Sequence, residues 1–104
     1  MQWHFGPFRL DLTNACLWQA DQPVPLRPKT LALLAYLVAH AGQLMTKETL
    51  LDAVWPKTAV SDGVLKTCVG ELRKALGETA QQPRYITTVS RRGYRFLAPA
   101  STSS

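Results

Sequence analysis

With 104 residues, 46% of them hydrophobic, the chain suits one compact domain around one core. No apolar run approaches the roughly 20 residues of a membrane span, and no basic segment followed by an apolar one marks a secretory leader. The formal net charge of +5 is unevenly placed: residues 1–56 hold four basic and four acidic groups, whereas residues 57–104 hold eight basic and three acidic ones, which points to a polyanionic partner or to a solvated basic face.

In chain order, Trp3, Phe5, Phe8, Leu10 and Leu12 fall close to strand alternation, interrupted at Gly6-Pro7. Thr13-Asn14 marks a turn, Ala15 to Gln19 a second short strand, and Asp21-Gln22-Pro23 a further turn, so the start reads as a small antiparallel meander. Pro28 permits a helix start, since its missing N–H is one the first turn does not use. Leu31, Leu34, Val38 and Ala41 then recur at helical spacing over Thr30 to Ala41, with Gly42 expected to end the helix in a left-handed conformation. Thr46 is a credible N-cap for a shorter helix carrying Leu50, Leu51, Val54 and Trp55 on one stripe and stopped by Pro56.

Ser61 caps a third helix, residues 61–76. Asp62 lies in its first turn near the positive end of the dipole, and Gly77 closes it. A polar loop, Glu78 to Arg84, leads to a hairpin of Tyr85 to Val89 and Gly93 to Leu97. Residues 100–104 carry no core material and are expected as a disordered tail or linker beyond a domain of residues 1–99. Strands, three helices and a terminal hairpin in this order predict an α+β fold of the winged helix-turn-helix kind, in which the third helix would enter a DNA groove.

The third helix is the most informative element. At about 100° per residue, Leu65, Cys68, Val69, Leu72 and Leu76 form one apolar stripe. The opposite face holds Gly63, Lys66, Thr67, Gly70, Arg73 and Lys74, three cations and no acid, with Glu71 and Glu78 toward one flank. An unpartnered surface helix usually mixes signs, because like charges one turn apart repel. Gly70 costs about 1 kcal/mol against alanine in mid-helix; it either admits a close approach or marks an indifferent surface position. The hairpin tip carries Arg91 and Arg92 before Gly93, which is expected to supply a backbone conformation that a bulkier residue resists. Arg95 alternates with the core-facing Tyr94 and Phe96. Such a tip fits either a reach to phosphate or minor groove beside the helix, or simple protection of a strand edge.

Other chemistry has little to stand on. Cys16 and Cys68 lie far apart without metal-ligand spacing and read as buried thiols in a reducing cytoplasm, and His4 and His40 are isolated from other ligand types. No histidine stands beside an acid in a recognisable catalytic pattern and no glycine loop cradles phosphate, so neither an enzyme nor a cofactor is expected.

Several stretches together resemble the OmpR/PhoB-type winged-helix domain of bacterial transcriptional regulators: Leu26-Arg27-Pro28-Lys29 with Leu33-Leu34; Thr46-Lys47-Glu48-Thr49-Leu50-Leu51 with Val54-Trp55; Glu71-Leu72-Arg73-Lys74-Ala75-Leu76-Gly77; and Tyr85-Ile86-Thr87-Thr88-Val89 with Arg92-Gly93-Tyr94-Arg95-Phe96. The Arg92-Gly93-Tyr94 tip is most similar to the CadC/ToxR-like branch. The resemblance implies a four-stranded N-terminal sheet, three helices, a hairpin wing, and sequence-specific binding of double-stranded DNA, as tandem copies or a homodimer on direct repeats. It implies base contacts from Lys66, Thr67, Gly70, Arg73 and Lys74 in the major groove. Wing 89–95 would meet phosphate or minor groove through Arg91, Arg92 and Arg95, and loop 56–60 would meet RNA polymerase. The chain departs from many receiver-linked relatives at Leu65-Lys66-Thr67-Cys68 and at Gly70-Glu71, so base preference does not transfer. The competing reading is a winged-helix module that binds protein through the same faces.

Overall fold

The computed structural model of the chain describes residues 2–79, 81–97 and 99–103. Four short strands open it: β1 (Gln2–Phe5), β2 (Phe8–Asp11), β3 (Cys16–Gln19) and β4 (Gln22–Val24). They pair in sequence as antiparallel neighbours. The register aligns Trp3, Leu10, Leu17 and Val24 in one row and His4, Arg9, Trp18 and Pro23 in the next. Since alternate residues face opposite sides, the first row turns to the core, where Leu10 and Leu17 are fully buried. The second row faces outward, with the Arg9 guanidinium over the Trp18 ring. The Asp11 carboxyl holds the turn after β2 by accepting from the Asn14 side chain and backbone N–H, and these bonds keep its pKa below the usual carboxylate value.

The helices follow as α1 (Pro28–Ala39), α2 (Lys47–Val54) and α3 (Asp62–Leu76). The three helices pack on one another, and α1 buries Leu33, Leu34, Leu37 and Val38. It begins at Pro28 as expected but stops two residues early. His40 caps it, and Gly42, although left-handed at φ 85°, lies beyond the cap and donates its N–H to the Phe96 carbonyl at 2.8 Å. Thr46 caps α2 as the sequence predicts, its Oγ1 accepting from the Thr49 N–H at 3.1 Å. α3 buries the predicted stripe of Leu65, Cys68, Val69, Leu72 and Leu76. Its C-terminus is a Schellman motif: Gly77, at φ 76°, donates to the Lys74 carbonyl at 3.2 Å and Glu78 to the Arg73 carbonyl at 3.0 Å.

Two strands were not foreseen. β5 (Leu44–Thr46) lies between α1 and α2 and joins the wing strands β6 (Ile86–Val89) and β7 (Gly93–Phe96) in a sheet of order β5-β7-β6. β8 (Ser101–Ser103) pairs with β1, extending the N-terminal sheet to five strands where four strands and a disordered tail were expected. Ser104 of that tail and Ala80 of the loop before the wing lie outside the described residues. Phe5, Phe8, Tyr85 and Phe96 tie the two sheets together through edge and stacked ring contacts with centroids 5.2–6.4 Å apart.

The reason for Gly93 also differs from the sequence expectation. The residue in the left-handed region at the wing tip is Arg91, at φ 63°, and not Gly93. Gly93 is buried against β5, where a Cβ would stand 1.9 Å from the Met45 carbonyl oxygen. Close backbone approach, not turn conformation, requires glycine there.

Candidate nucleic-acid interface

α3 is amphipathic, and its polar half divides into three strips. With the buried stripe inward, Gly63, Thr67, Gly70 and Lys74 form the outermost ridge, all four exposed. Added Cβ atoms at Gly63 and Gly70 would meet, respectively, only the Ser61 hydroxyl at 3.4 Å and nothing within 4 Å, so the helix backbone is approachable along this ridge. Lys66 and Arg73 lie on one flank. Val64 and Glu71 lie on the other.

The Arg73 flank meets the wing. Its Nη2 donates to the Ile86 carbonyl at 3.2 Å and to Thr88 Oγ1 at 2.8 Å, while its Nε is buried without a partner among the described residues. Arg73, expected among the base-facing residues, is therefore turned to β6 and ties α3 to the wing. Thr88 and Tyr94 are cross-strand partners on the side facing α3, and burial raises the Tyr94 pKa above that of an ordinary phenol. The hairpin continues from this contact into its tip, where Arg92 donates its N–H to the Val89 carbonyl at 3.0 Å and accepts from the Lys47 N–H at 3.1 Å. The α2 N-terminus thus fixes the tip, and both Arg91 and Arg92 remain exposed.

Arg95 is different. It alternates with the buried Tyr94 and Phe96 and stands half-buried in register with Leu44 and Thr87 on the side away from α3. Lys66, Thr67, Gly70 and Lys74 are exposed on α3 and Arg91 and Arg92 at the wing tip, with the Arg73 bonds joining α3 to β6, whereas Arg95 stands on the opposite side of the wing.

Three residues outside the predicted set complete the geometry. Glu78, expected in a polar loop, is 8% exposed; its carboxylate accepts from the Tyr85 N–H at 2.9 Å and the Ile86 N–H at 3.2 Å. With Arg73 on the Ile86 carbonyl, it covers the open edge where the wing begins. Arg27, at the N-cap of α1, forms a forked ion pair with Glu71 through Nε and Nη2, and the Thr30 hydroxyl donates to Glu71 Oε2 at 3.2 Å. Lys29 caps the end of α2 by donating to the Val54 carbonyl at 2.8 Å. One signal for these contacts was present in the sequence: cations at a helix N-terminus oppose the macrodipole and call for partners elsewhere.

Arg27, Lys29, Trp55, Ser61, Val64 and Thr67 line a cleft of about 770 Å³ along the second flank of α3. At its base the Cys68 thiol touches the Thr30 hydroxyl at 3.3 Å, and burial pushes its pKa up, so the uncharged form is favoured. Cys16, by contrast, is only half-buried, and neither cysteine is in a disulfide. Among the described residues no helix is long and apolar enough to cross a membrane, and no cluster of three His, Cys, Asp or Glu side chains offers a metal site.

Residues 21–96 match the family "Transcriptional regulatory protein, C terminal". The transcriptional regulator HilA of Salmonella typhimurium is 37% identical over 95 residues, which are 91% of this chain and 17% of that protein; the chain spans less than a fifth of that relative. The Klebsiella pneumoniae RstA DNA-binding domain, solved in complex with the RstA box, superposes with a TM-score of 0.81 at 29% identity, covering 92% of this chain and 96% of that one. The DNA-binding domain of Escherichia coli CadC gives a TM-score of 0.85 at 27% identity, covering 96% and 94%.

Proposed function

Because the chain belongs to the family of transcriptional regulatory protein C-terminal domains, we propose that it is the double-stranded DNA-binding domain of a bacterial transcriptional regulator. α3 lies in the major groove, and the wing tip lies on phosphate or in the adjoining minor groove. The observation that carries this reading is the exposed ridge of α3, without an acid from Gly63 to Lys74, bordered by a wing that Arg73 holds against it. Lys66, Thr67, Gly70 and Lys74 form the surface offered to base edges and flanking phosphates. Arg91 and Arg92 form the wing contact. The likeness to a domain solved on its DNA box supports the same orientation. Loop 56–60, largely exposed and carrying Lys57 at φ 62°, is assigned to RNA polymerase by resemblance to the family, and tandem occupancy of direct repeats is proposed on the same ground. The site of action is the cytoplasm, where bacterial DNA lies.

Fluorescence anisotropy on duplexes selected from the source genome tests the reading. With about five to seven phosphates neutralised, log K is expected to fall against log salt with a slope of about −5. Arg92→Ala is expected to weaken all duplexes about equally and to reduce the magnitude of that slope by about 1. Salt-independent binding, or selective capture of an acidic protein with no preference for duplex over heparin, would instead support the protein-interaction module.

Gly70→Ala separates stability from binding. With nothing within 4 Å of the added methyl group, thermal melting is expected to report a gain of about 0.5–1 kcal/mol. Duplex affinity is expected to fall, because the methyl group holds the groove away from the ridge. Unchanged affinity would show that Gly70 lies off the contact surface.

A further inference from the structure

The ion pair on the second flank of α3 has no role in the reading above. Glu71 is the only acid of α3 beyond its first turn, and it borders the exposed ridge one residue from Gly70. Its carboxylate is held by three donated hydrogen bonds: two from the Arg27 fork and one from Thr30. It still keeps 35% of its side-chain surface open to solvent, and Arg27 keeps 70%. A carboxylate has about four acceptor positions, so one remains available. The pair is thus accessible and oriented from two sides, which distinguishes it from a buried strut.

We propose that Glu71 is a specificity-determining residue that selects a cytosine in the major groove, with Arg27 as the positioning residue that fixes its carboxylate. The proposal rests on the DNA-binding reading above. A carboxylate only accepts hydrogen bonds, and the cytosine N4 amino group is the matching donor in the major groove. The same oxygen repels the O6 and N7 acceptors of guanine and the O4 of thymine, so the contact rejects as well as attracts. The glycines of the ridge bring the groove floor close to the helix backbone, within reach of a side chain held back toward α1. Arg27 offsets the carboxylate's repulsion of the DNA backbone.

The test is selection from a random duplex library, with sequencing of bound fragments, for the parent chain, Glu71→Ala and the double variant Arg27→Glu/Glu71→Arg. The parent is expected to enrich one cytosine that Glu71→Ala no longer prefers, with discrimination there falling roughly 5- to 10-fold and the other positions unchanged. The swapped pair keeps the α1–α3 link but places a guanidinium on α3, and is expected to exchange that cytosine for guanine, the base arginine reads. It also keeps the test decisive if Glu71→Ala fails to fold. The proposal is overturned if Glu71→Ala keeps the parent's preference at every position, or if the swapped pair restores the parent's preference, which would make the pair a structural link alone. A parent chain that enriches no sequence would count against the DNA-binding reading itself, an outcome distinct from either of these.

Discussion

Gly93→Ala is expected to remove at least about 3 kcal/mol of folding stability, seen as a collapse of the urea midpoint. The added Cβ would stand 1.9 Å from the Met45 carbonyl oxygen, 2.9 Å from the Met45 carbonyl carbon and 2.9 Å from the Thr46 Cα. All three are backbone atoms, so no side-chain rotation relieves the overlap. Either β5 or β7 must move, and each is committed elsewhere. Thr46, the register partner of Gly93, is also the N-cap of α2. Lys47 donates its N–H to the Arg92 carbonyl at 3.1 Å. The substitution therefore breaks the β5–β7 pairing, frays the first turn of α2 and releases the basic tip together. A domain of this size is stable by only about 5–15 kcal/mol, so a loss of this order leaves little margin. Gly42→Ala is the control. At φ 85° with nothing within 4 Å, it carries conformational strain alone, about 1–2 kcal/mol. A Gly93→Ala loss no larger than that of Gly42→Ala would show that β5 and β7 separate easily.

Glu78→Ala carries the second large effect. It leaves the Tyr85 and Ile86 N–H groups without their acceptor at a buried site. Each unsatisfied donor costs about 1–3 kcal/mol, so a loss of about 2–5 kcal/mol is expected in chemical denaturation. Glu78→Gln retains one carbonyl oxygen able to accept from both groups and is expected to lose much less. The local measurement is hydrogen exchange: protection of the Tyr85 and Ile86 amides should vanish in Glu78→Ala while that of α1 is lowered only through global stability. Duplex affinity should fall with it, because Glu78 and Arg73 bind the N–H and C=O of the same residue, Ile86, and jointly hold the wing to the end of α3. Intact amide protection in Glu78→Ala would mean that the wing is held by Arg73 and the ring contacts of Tyr85 alone.

Glu78 and Arg73 both take their roles from a segment that comes later in the chain. Glu78 follows a glycine in a stretch of polar residues, a composition that reads as loop. It is the Schellman turn at Gly77 that delivers its carboxylate to a strand that begins eight residues on. Arg73 falls on the cationic side of the helical wheel, yet the wing that captures its guanidinium lies 13–15 residues later. The partner of Arg27 stands 44 residues away. β5 is three residues long, without a period to detect, and is a strand only because β7 runs beside it.

The chain's local order was enough for the three helices, the Thr46 and Gly77 caps, the five-residue stripe that α3 buries and the acid-free ridge opposite it. Capping and amphipathic spacing act within one or two helical turns, so neighbouring residues carry them in full. Which of the exposed cations remain free, why glycine is required at position 93, and what orients Glu71 came from segments distant in sequence meeting in space. Hydrogen bonds and steric exclusion act over a few ångströms, and for these residues folding, not chain order, supplies the neighbours.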